Sequence, residues 1–427
     1  MGLEAGLLKF LKKPRDAREE IARKITDTAR EIIDNVKSRG LMAVKQYSRT
    51  LDNYEGELRI SGERLRSAEN GISSSLKEAM SVSARNASLF HSFQRKIFQD
   101  GEIEITSGVL TGIRFEPVKS AAIYVPGGRF PLPSTAVMGV TAAREAGVDR
   151  LVALTPPSGE AGPHEAVLGT LSMLGIDEVW AIGGAQAVAA ASFGIDGLDA
   201  VDLFAGPGNA YVNEAKRLLF GQVGIDSLAG PSEVTIIADG SARNDYVVAD
   251  LLAQSEHDPM AKATLLCTEM ELARSVVDSI DSMTGSLDPS SPAVMSWREN
   301  GTVAFCPLEE AIEYVNSGSP EHLVLCVNDP RKVLSMCRSF GSAFLGNFSA
   351  QSFGDYVAGT NHILPTGGSA RFSGGLWTGT FLRAQTYVEV DRYGALMLSA
   401  NGAVIAEAEG LLAHRRAMMI RTGVYPD

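Results

Sequence analysis

From about Ala121 onward, short β-branched runs alternate with alanine-rich segments, and no other feature of the chain restricts its fold as much. AAIYV, STAVMGVTAAREAG, RLVALTPP, HEAVLGTLSMLG, EVWAIG, AQAVAAASFG, AVDLFAG and NAYVNEAKRLLFG read in turn as strand and helix. Runs that are apolar along their whole length are strands covered on both faces. Their alternation with helices requires right-handed crossovers and a parallel sheet. A second series follows: VTIIAD, RNDYVVADLLAQSEH, ATLLCT, ELARSVVDSIDSM, TVAFC, LEEAIEYVNSG, HLVLCV, PRKVLSMCRSF and SAFLG. The expected fold is therefore α/β, with two Rossmann-like parallel-sheet units of similar size. They suggest an ancient duplication, although no letter-by-letter repeat is visible.

The first hundred residues mix charged and apolar positions at helical spacing, through DAREEIARKITDTAREIIDNVKSRG and SLKEAMSVSARNASLFHSFQRK, and predict a helical N-terminal region. After Asn347 the chain turns glycine-rich, then ends in the helical stretch SANGAVIAEAEGLLAHRRAMMIR. Such a tail is too small for a core of its own and is expected to pack on another domain or another subunit. A length of 427 residues fits two to four domains. With 39 Lys and Arg against 51 Asp and Glu, the net charge of −12 has the wrong sign for phosphate backbones or anionic membranes, so neither nucleic acid nor membrane is an expected partner. The N-terminal stretch has no apolar run of secretory length, and the most apolar segment, AIGGAQAVAAASFGI, is too short to span a bilayer. A cytoplasmic protein is expected. Cys267, Cys306, Cys326 and Cys337 show no CxxC spacing, three of them lie in or beside apolar runs, and they read as reduced core residues.

Parallel sheets bind ligands at the carboxyl ends of their strands, which directs attention to the loops VPGGRFPLPST, GGAQ and GPGNAYVNEAKR of the first series. Glycines there let backbone amides approach an anion at a helix start, but the G-x-G-x-x-G pattern is absent, so nucleotide binding and plain tight turns fit equally well. Tyr124, Gln186 and Asn209 stand beside these loops with groups that could hydrogen-bond a cofactor or merely buttress the turns. In the second series, Gln254 and His257 lie three apart at a helix end and share a face, a geometry suited to an oxygen and a nitrogen ligand on one cation, Zn²⁺ being the usual choice. A surface histidine at an acidic helix end would look the same. Glu321 and His322 adjoin just ahead of a strand, as an acid/base pair or a satisfied pair at a domain edge. Asp355 and His362 share a glycine-bearing loop, where function is favoured over packing. Glu409 and His414 fall in the tail. Only six histidines occur, and four of them lie beside carboxylates or amides in the second half of the chain, which points to a metal-assisted enzyme; His91 and His164, in the first half, read as ordinary residues.

The blocks AIYVPGGR, GGAQAVAA, VDLFAGPGNAYVNEAKR, FGQVGIDSLAGPSEV, ADLLAQSEHDP, PEHL, GDYVAGTNHILPT, ARFSGG and AEAEGLLAHR, in this order from roughly Ser120 to Arg421, resemble the signature stretches of the histidinol dehydrogenase family. The resemblance implies a homodimeric enzyme with one Zn²⁺ per subunit that oxidises L-histidinol to L-histidine in two NAD-dependent steps. Carried over by motif, the metal ligands are Gln254, His257, Asp355 and His414, the last supplied to the partner subunit's site. Glu321 and His322 are the catalytic pair, His322 as general base and Glu321 activating water. Ser232 and Glu409 join His322 and the metal ligands in holding substrate, and Tyr124, Gln186 and Asn209 contact NAD. The resemblance also implies a division into an N-terminal helical segment (1–22), a discontinuous α/β domain with the ligands and the acid/base pair (23–117 plus 234–374), an NAD-binding α/β domain (118–233) and a C-terminal tail (375–427). Two stretches depart from it. Phe193-Gly194-Ile195 replaces a Tyr-Gly-Thr stretch, and GGLWTGTFLR around Trp377 resembles relatives that oxidise sulfonated diols. Pro320, Glu409 and His414 match the histidinol enzymes, so histidinol is the expected substrate, with a sulfonated diol or other polyol as the alternative.

Overall fold

The computed structural model describes residues 9–12, 19–127 and 130–423. Two six-stranded sheets form its frame. The first runs Arg59–Ile60, Val179–Ala181, Arg150–Thr155, Ser120–Tyr124, Leu203–Ala205, Gly224–Ile225, and only its edge strand Arg59–Ile60 is antiparallel. The second runs Lys9–Lys12, Thr302–Phe305, Lys262–Cys267, Glu233–Ala238, His322–Cys326, Ser342–Leu345, again with only its edge strand Lys9–Lys12 antiparallel. Numbered along the chain, the parallel strands of each sheet stand in the order 3-2-1-4-5. Two units with one strand order and the same kind of added edge strand are what a duplication leaves behind, even where the letters have diverged.

Burial explains the strand composition. Val234, Ile236 and Ala238 face one apolar layer and Ile237 the other, because successive side chains leave opposite faces of a strand. Helices cover both layers, so each strand is apolar without alternation. The four cysteines are free and buried in these layers, as expected.

The helices Glu19–Arg39, Leu41–Asp52, Gly62–Gly71 and Ser74–Arg95 supply the helical start. Of residues 1–22, expected to be helical, Lys9–Lys12 form an edge strand instead, and the remainder before Glu19 lies outside the described residues. Residues 23–117, grouped with 234–374 at the level of sequence, contribute Ala29, Ile33, Val44, Leu65 and Ala87 to the core of the first sheet. Val109–Pro117 pairs with Gly101–Thr106 and with Leu382–Val390 in a separate three-stranded antiparallel sheet that ties this region to the tail. The tail then forms two helices, Arg392–Ala408 and Leu412–Met419. Among the described residues no helix is long and apolar enough to cross a membrane.

The segment 226–232 leads from the carboxyl end of Gly224–Ile225 straight into the amino end of Glu233–Ala238. A link this short brings the carboxyl edge of the first sheet next to the amino edge of the second. The site residues of the two units collect along those two edges.

Candidate active site

At the amino edge of the second sheet, parallel register sets His322 level with Val234 and with Ser342. The chain reaches this row through Ser319, which caps the helix Leu308–Gly318 in the left-handed conformation at φ 51° and reverses direction there. Glu321 is held by the backbone, its Oε2 accepting the Glu233 N–H at 2.8 Å. His322 lies between two carboxylates, with Nδ1 3.6 Å from Glu321 Oε2 and Nε2 3.5 Å from Asp355 Oδ1. Phe344 stacks beside the imidazole at 5.9 Å. Burial acts against a charge on His322, but Glu321 and Asp355 outweigh it and push the imidazolium up to about 10. Asp355, which burial alone would raise, is held below its ordinary value by His322.

Asp355 belongs to the short helix Gln351–Tyr356, and His362 fixes the loop that follows it. Its Nδ1 lies 2.7 Å from the Asp355 carbonyl oxygen and its Nε2 3.1 Å from Thr135 Oγ1. A carbonyl only accepts, so Nδ1 carries the proton and the Thr135 hydroxyl donates to Nε2. Burial keeps this ring neutral by lowering its pKa. His362 thus ties the Asp355 loop to the helix Pro133–Ala146 of the first unit. Gln254, fully buried, accepts from Gln351 Nε2 at 2.9 Å. His257, exposed one turn further on, is near enough to act electrostatically on both Asp355 and His362. Ser232 ends the connecting segment beside Glu233, its carbonyl accepting from Lys262 N at 3.0 Å.

The structure therefore brings Gln254, His257, Asp355, Glu321, His322 and His362 to one place, with Ser232 next to them. It does not bring Glu409 and His414 there. Both are exposed on the tail helices and neither bonds to this cluster. Among the described residues of one chain, no three His, Cys, Asp or Glu side chains converge as a metal site. Two expected ligands of that class, His257 and Asp355, are at the cluster; Gln254 is an amide and His414 is elsewhere.

On the carboxyl edge of the first sheet, Tyr124 ends the central strand, and its hydroxyl accepts the Gly184 N–H at 3.2 Å. Burial pushes its phenol up to about 12. Gln186 is buried, donates to Asp52 Oδ2 at 3.4 Å and keeps its Oε1 without a partner. Asn209 caps the helix Ala210–Leu219, its Oδ1 accepting from Tyr211 and Val212 N–H at 3.0 and 3.1 Å. Strand order reverses between Ser120–Tyr124 and Leu203–Ala205, the crevice where open sheets take ligands. The second unit departs from that rule. A helix antiparallel to its strands delivers its own C-terminus to their amino edge, which is how Gln254 and His257 come to stand beside the Asp355 helix and its loop.

Sequence reasoning missed several polar groups here: Glu233, Gln351, Thr135, Asp52 and the fully buried ion pair of Lys216 with Asp226. For Lys216 a signal existed, since it shares an i, i+4, i+7 stripe with Val212 and Leu219 on the buried face of its helix.

Comparison with known proteins follows the same lines. The family described as histidinol dehydrogenase matches residues 15–422. The histidinol dehydrogenase of Gluconobacter oxydans (strain 621H) is 39% identical over 410 residues, 95% of this chain and 94% of that one. That of Thermococcus kodakarensis (strain ATCC BAA-918 / JCM 12380 / KOD1) is 41% identical over 399 residues, covering 93% and 99%. The crystal structure of histidinol dehydrogenase from Elizabethkingia anophelis superposes with a TM-score of 0.89 at 32% identity, covering 96% of this chain and 94% of that one.

Proposed function

The chain belongs to the histidinol dehydrogenase family, NAD-dependent oxidoreductases of histidine biosynthesis, and with that as premise we propose how its own residues divide the oxidation of L-histidinol to L-histidine. One observation above all supports the assignment: two carboxylates, Glu321 and Asp355, flank the buried His322 where Gln254 and His257 leave a neighbouring helix end. The sulfonated-diol alternative finds no counterpart among the relatives described above.

The residues at the cluster suit zinc. Gln254, His257 and Asp355 offer an amide oxygen, an imidazole and a carboxylate, a mixed oxygen and nitrogen set of the kind Zn²⁺ takes. Gln254 Nε2 is buried without a hydrogen-bond partner, and His322 Nε2 is buried with Asp355 Oδ1 beside it at 3.5 Å, as in a place built to receive a polar ligand. On the other edge, the unpartnered Gln186 Oε1 and the glycine loops beside Tyr124 and Asn209 suit a dinucleotide. When bound, zinc supplies an anchor for the amino and imidazole nitrogens of the substrate, and NAD supplies the hydride acceptor.

In this reading His322 takes the proton of the substrate hydroxyl as hydride leaves the same carbon, giving a bound aldehyde. Glu321 then draws a proton from the water that adds to the aldehyde carbon. The aldehyde oxygen takes back the proton held by His322 to complete the hydrate, which then loses a second hydride to a second NAD⁺ and a hydroxyl proton to His322 and becomes the carboxylic acid. Asp355 is both the partner of His322 and one of the residues that would hold the metal; a cation there would offset the Asp355 charge and favour the neutral, basic form of His322. Ser232 and Glu409 help hold the substrate; Tyr124, Gln186 and Asn209 face the cofactor.

Glu409 and His414 reach this site as part of a cytoplasmic homodimer, each tail crossing to the partner. Supporting this, the tail helices expose Val404 and Leu412, each at 67%, and Ile405 at 60%, apolar surface that one chain leaves uncovered. The test is L-histidinol-dependent NADH formation that a chelator abolishes and zinc restores. Purified, zinc-loaded protein with no turnover of histidinol would overturn the reading.

A further inference from the structure

The glycine-rich loop after Leu203–Ala205 is gripped by charges that no step of the oxidation uses. Lys216 and Asp226 are fully buried and meet at 2.5 Å between Nζ and Oδ1. They also close on one residue of the loop: Lys216 Nζ donates to the Gly206 carbonyl at 3.0 Å, and Asp226 Oδ2 accepts the Gly206 N–H at 2.9 Å. Gly206 sits at φ 132°, where a side chain would collide with the Tyr124 carbonyl. Both hydrogen-bonding groups of that residue are therefore spoken for by one ion pair. The same helix grips the connecting segment a second time, Asn213 Oδ1 accepting the Ala229 N–H at 3.0 Å. From there the chain runs through Gly230, whose N–H bonds Thr366 Oγ1, to Ser232 and to Glu233, whose N–H holds Glu321.

We infer that Lys216 and Asp226 are positioning residues for the dinucleotide: by clamping Gly206 they fix the loop between Tyr124 and Asn209 in the shape that receives it. The inference rests on the reading of this edge as the NAD site. Burying two charges is costly, and an apolar pair of similar size often serves stability equally well, so stability alone gives little reason for a charged pair. What the charged pair does, and an apolar pair cannot, is hold the N–H and the carbonyl of Gly206 at the same time.

The test compares two double variants by direct NADH binding, followed by fluorescence. K216M/D226L keeps an apolar core but removes both bonds to Gly206. K216M/D226N restores an acceptor for the Gly206 N–H. The expected result is a Kd for NADH raised at least tenfold in K216M/D226L and recovered in large part in K216M/D226N, with zinc content unchanged in both. Hydrogen exchange in the unmodified enzyme gives a measurement that does not depend on any variant folding: the Gly206 amide is expected to be strongly protected before NADH is added. Equal NADH affinity in the wild type and both doubles, or a Gly206 amide exchanging as freely as exposed loop amides, overturns the clamp. Failure of the wild type to bind NADH at all would instead overturn the reading of the site.

Discussion

Placing His322 between Glu321 and Asp355 while burying all three makes its protonation the most sensitive property of the site. H322N, which keeps the ring's approximate size but cannot act as a base, is expected to lower kcat by about 10²–10⁴-fold with zinc retained. E321Q separates the two steps: the first hydride transfer persists while hydration of the aldehyde slows, so a rapid-quench experiment should show one NADH per site in a burst. A burst of two would contradict the role given to Glu321. A different carboxylate carries a pH prediction. Burial raises Asp250 to about 6, so its folded form prefers the proton; its contribution to stability is full below its ordinary value near 3.8 and is lost as pH rises through 6. Asparagine mimics the protonated state. D250N should therefore unfold at higher denaturant than the wild type above pH 6, by about 1–3 kcal/mol at pH 7.5, with the difference vanishing near pH 4. At this scale the sequence was partly legible. Glu321, His322, Gln254, His257 and Asp355 stand out by residue type and neighbours, but the bonds of Glu233 to Glu321 and of His362 to Thr135 join residues 88 and 227 positions apart, and nothing local in the letters announces them.

Elements were easier to read than their edges. Each apolar run became a strand because it is covered on both faces, and each alanine-rich run became a covering helix. Lys9–Lys12 was misread because four residues, Lys-Phe-Leu-Lys, are too few to set a period, and their pairing with Thr302–Phe305 is decided by a strand almost three hundred positions away. The rule that ligands lie at carboxyl strand ends directs attention to the loops of the first sheet and away from the amino edge of the second, where Glu321 and His322 stand. Functional groups there arrive on the C-termini of helices and on the first residues of strands, which a strand-by-strand reading does not weigh. The loop at Gly206 gives the element-scale prediction. G206A forces a side chain toward the Tyr124 carbonyl at a positive φ, and should raise the Kd for NADH at least tenfold while costing about 1–3 kcal/mol of stability. An unchanged Kd would mean that the loop adapts and is not part of the cofactor edge.

Over the whole molecule, two sheets of one strand order have been joined so that the carboxyl edge of one meets the amino edge of the other, and the chemistry we propose lies along that seam. The repeated 3-2-1-4-5 order could not be seen in the letters, since strand order depends on which runs pair and not on how they read. The tail, whose Glu409 and His414 lie apart from the cluster, yields a prediction about subunits. Mixing an H414N subunit with an H322N subunit should regenerate activity, because one site of the hybrid then has an intact His322 and an intact tail from its partner. If each tail served its own chain, the mixture would stay inactive. The most direct test of the account is the stoichiometry of a limiting amount of L-histidinol consumed by the zinc-loaded enzyme with excess NAD⁺. Two NADH formed for each L-histidine, with no aldehyde trapped by an added carbonyl reagent, is the predicted result; one NADH with free aldehyde in solution would contradict it.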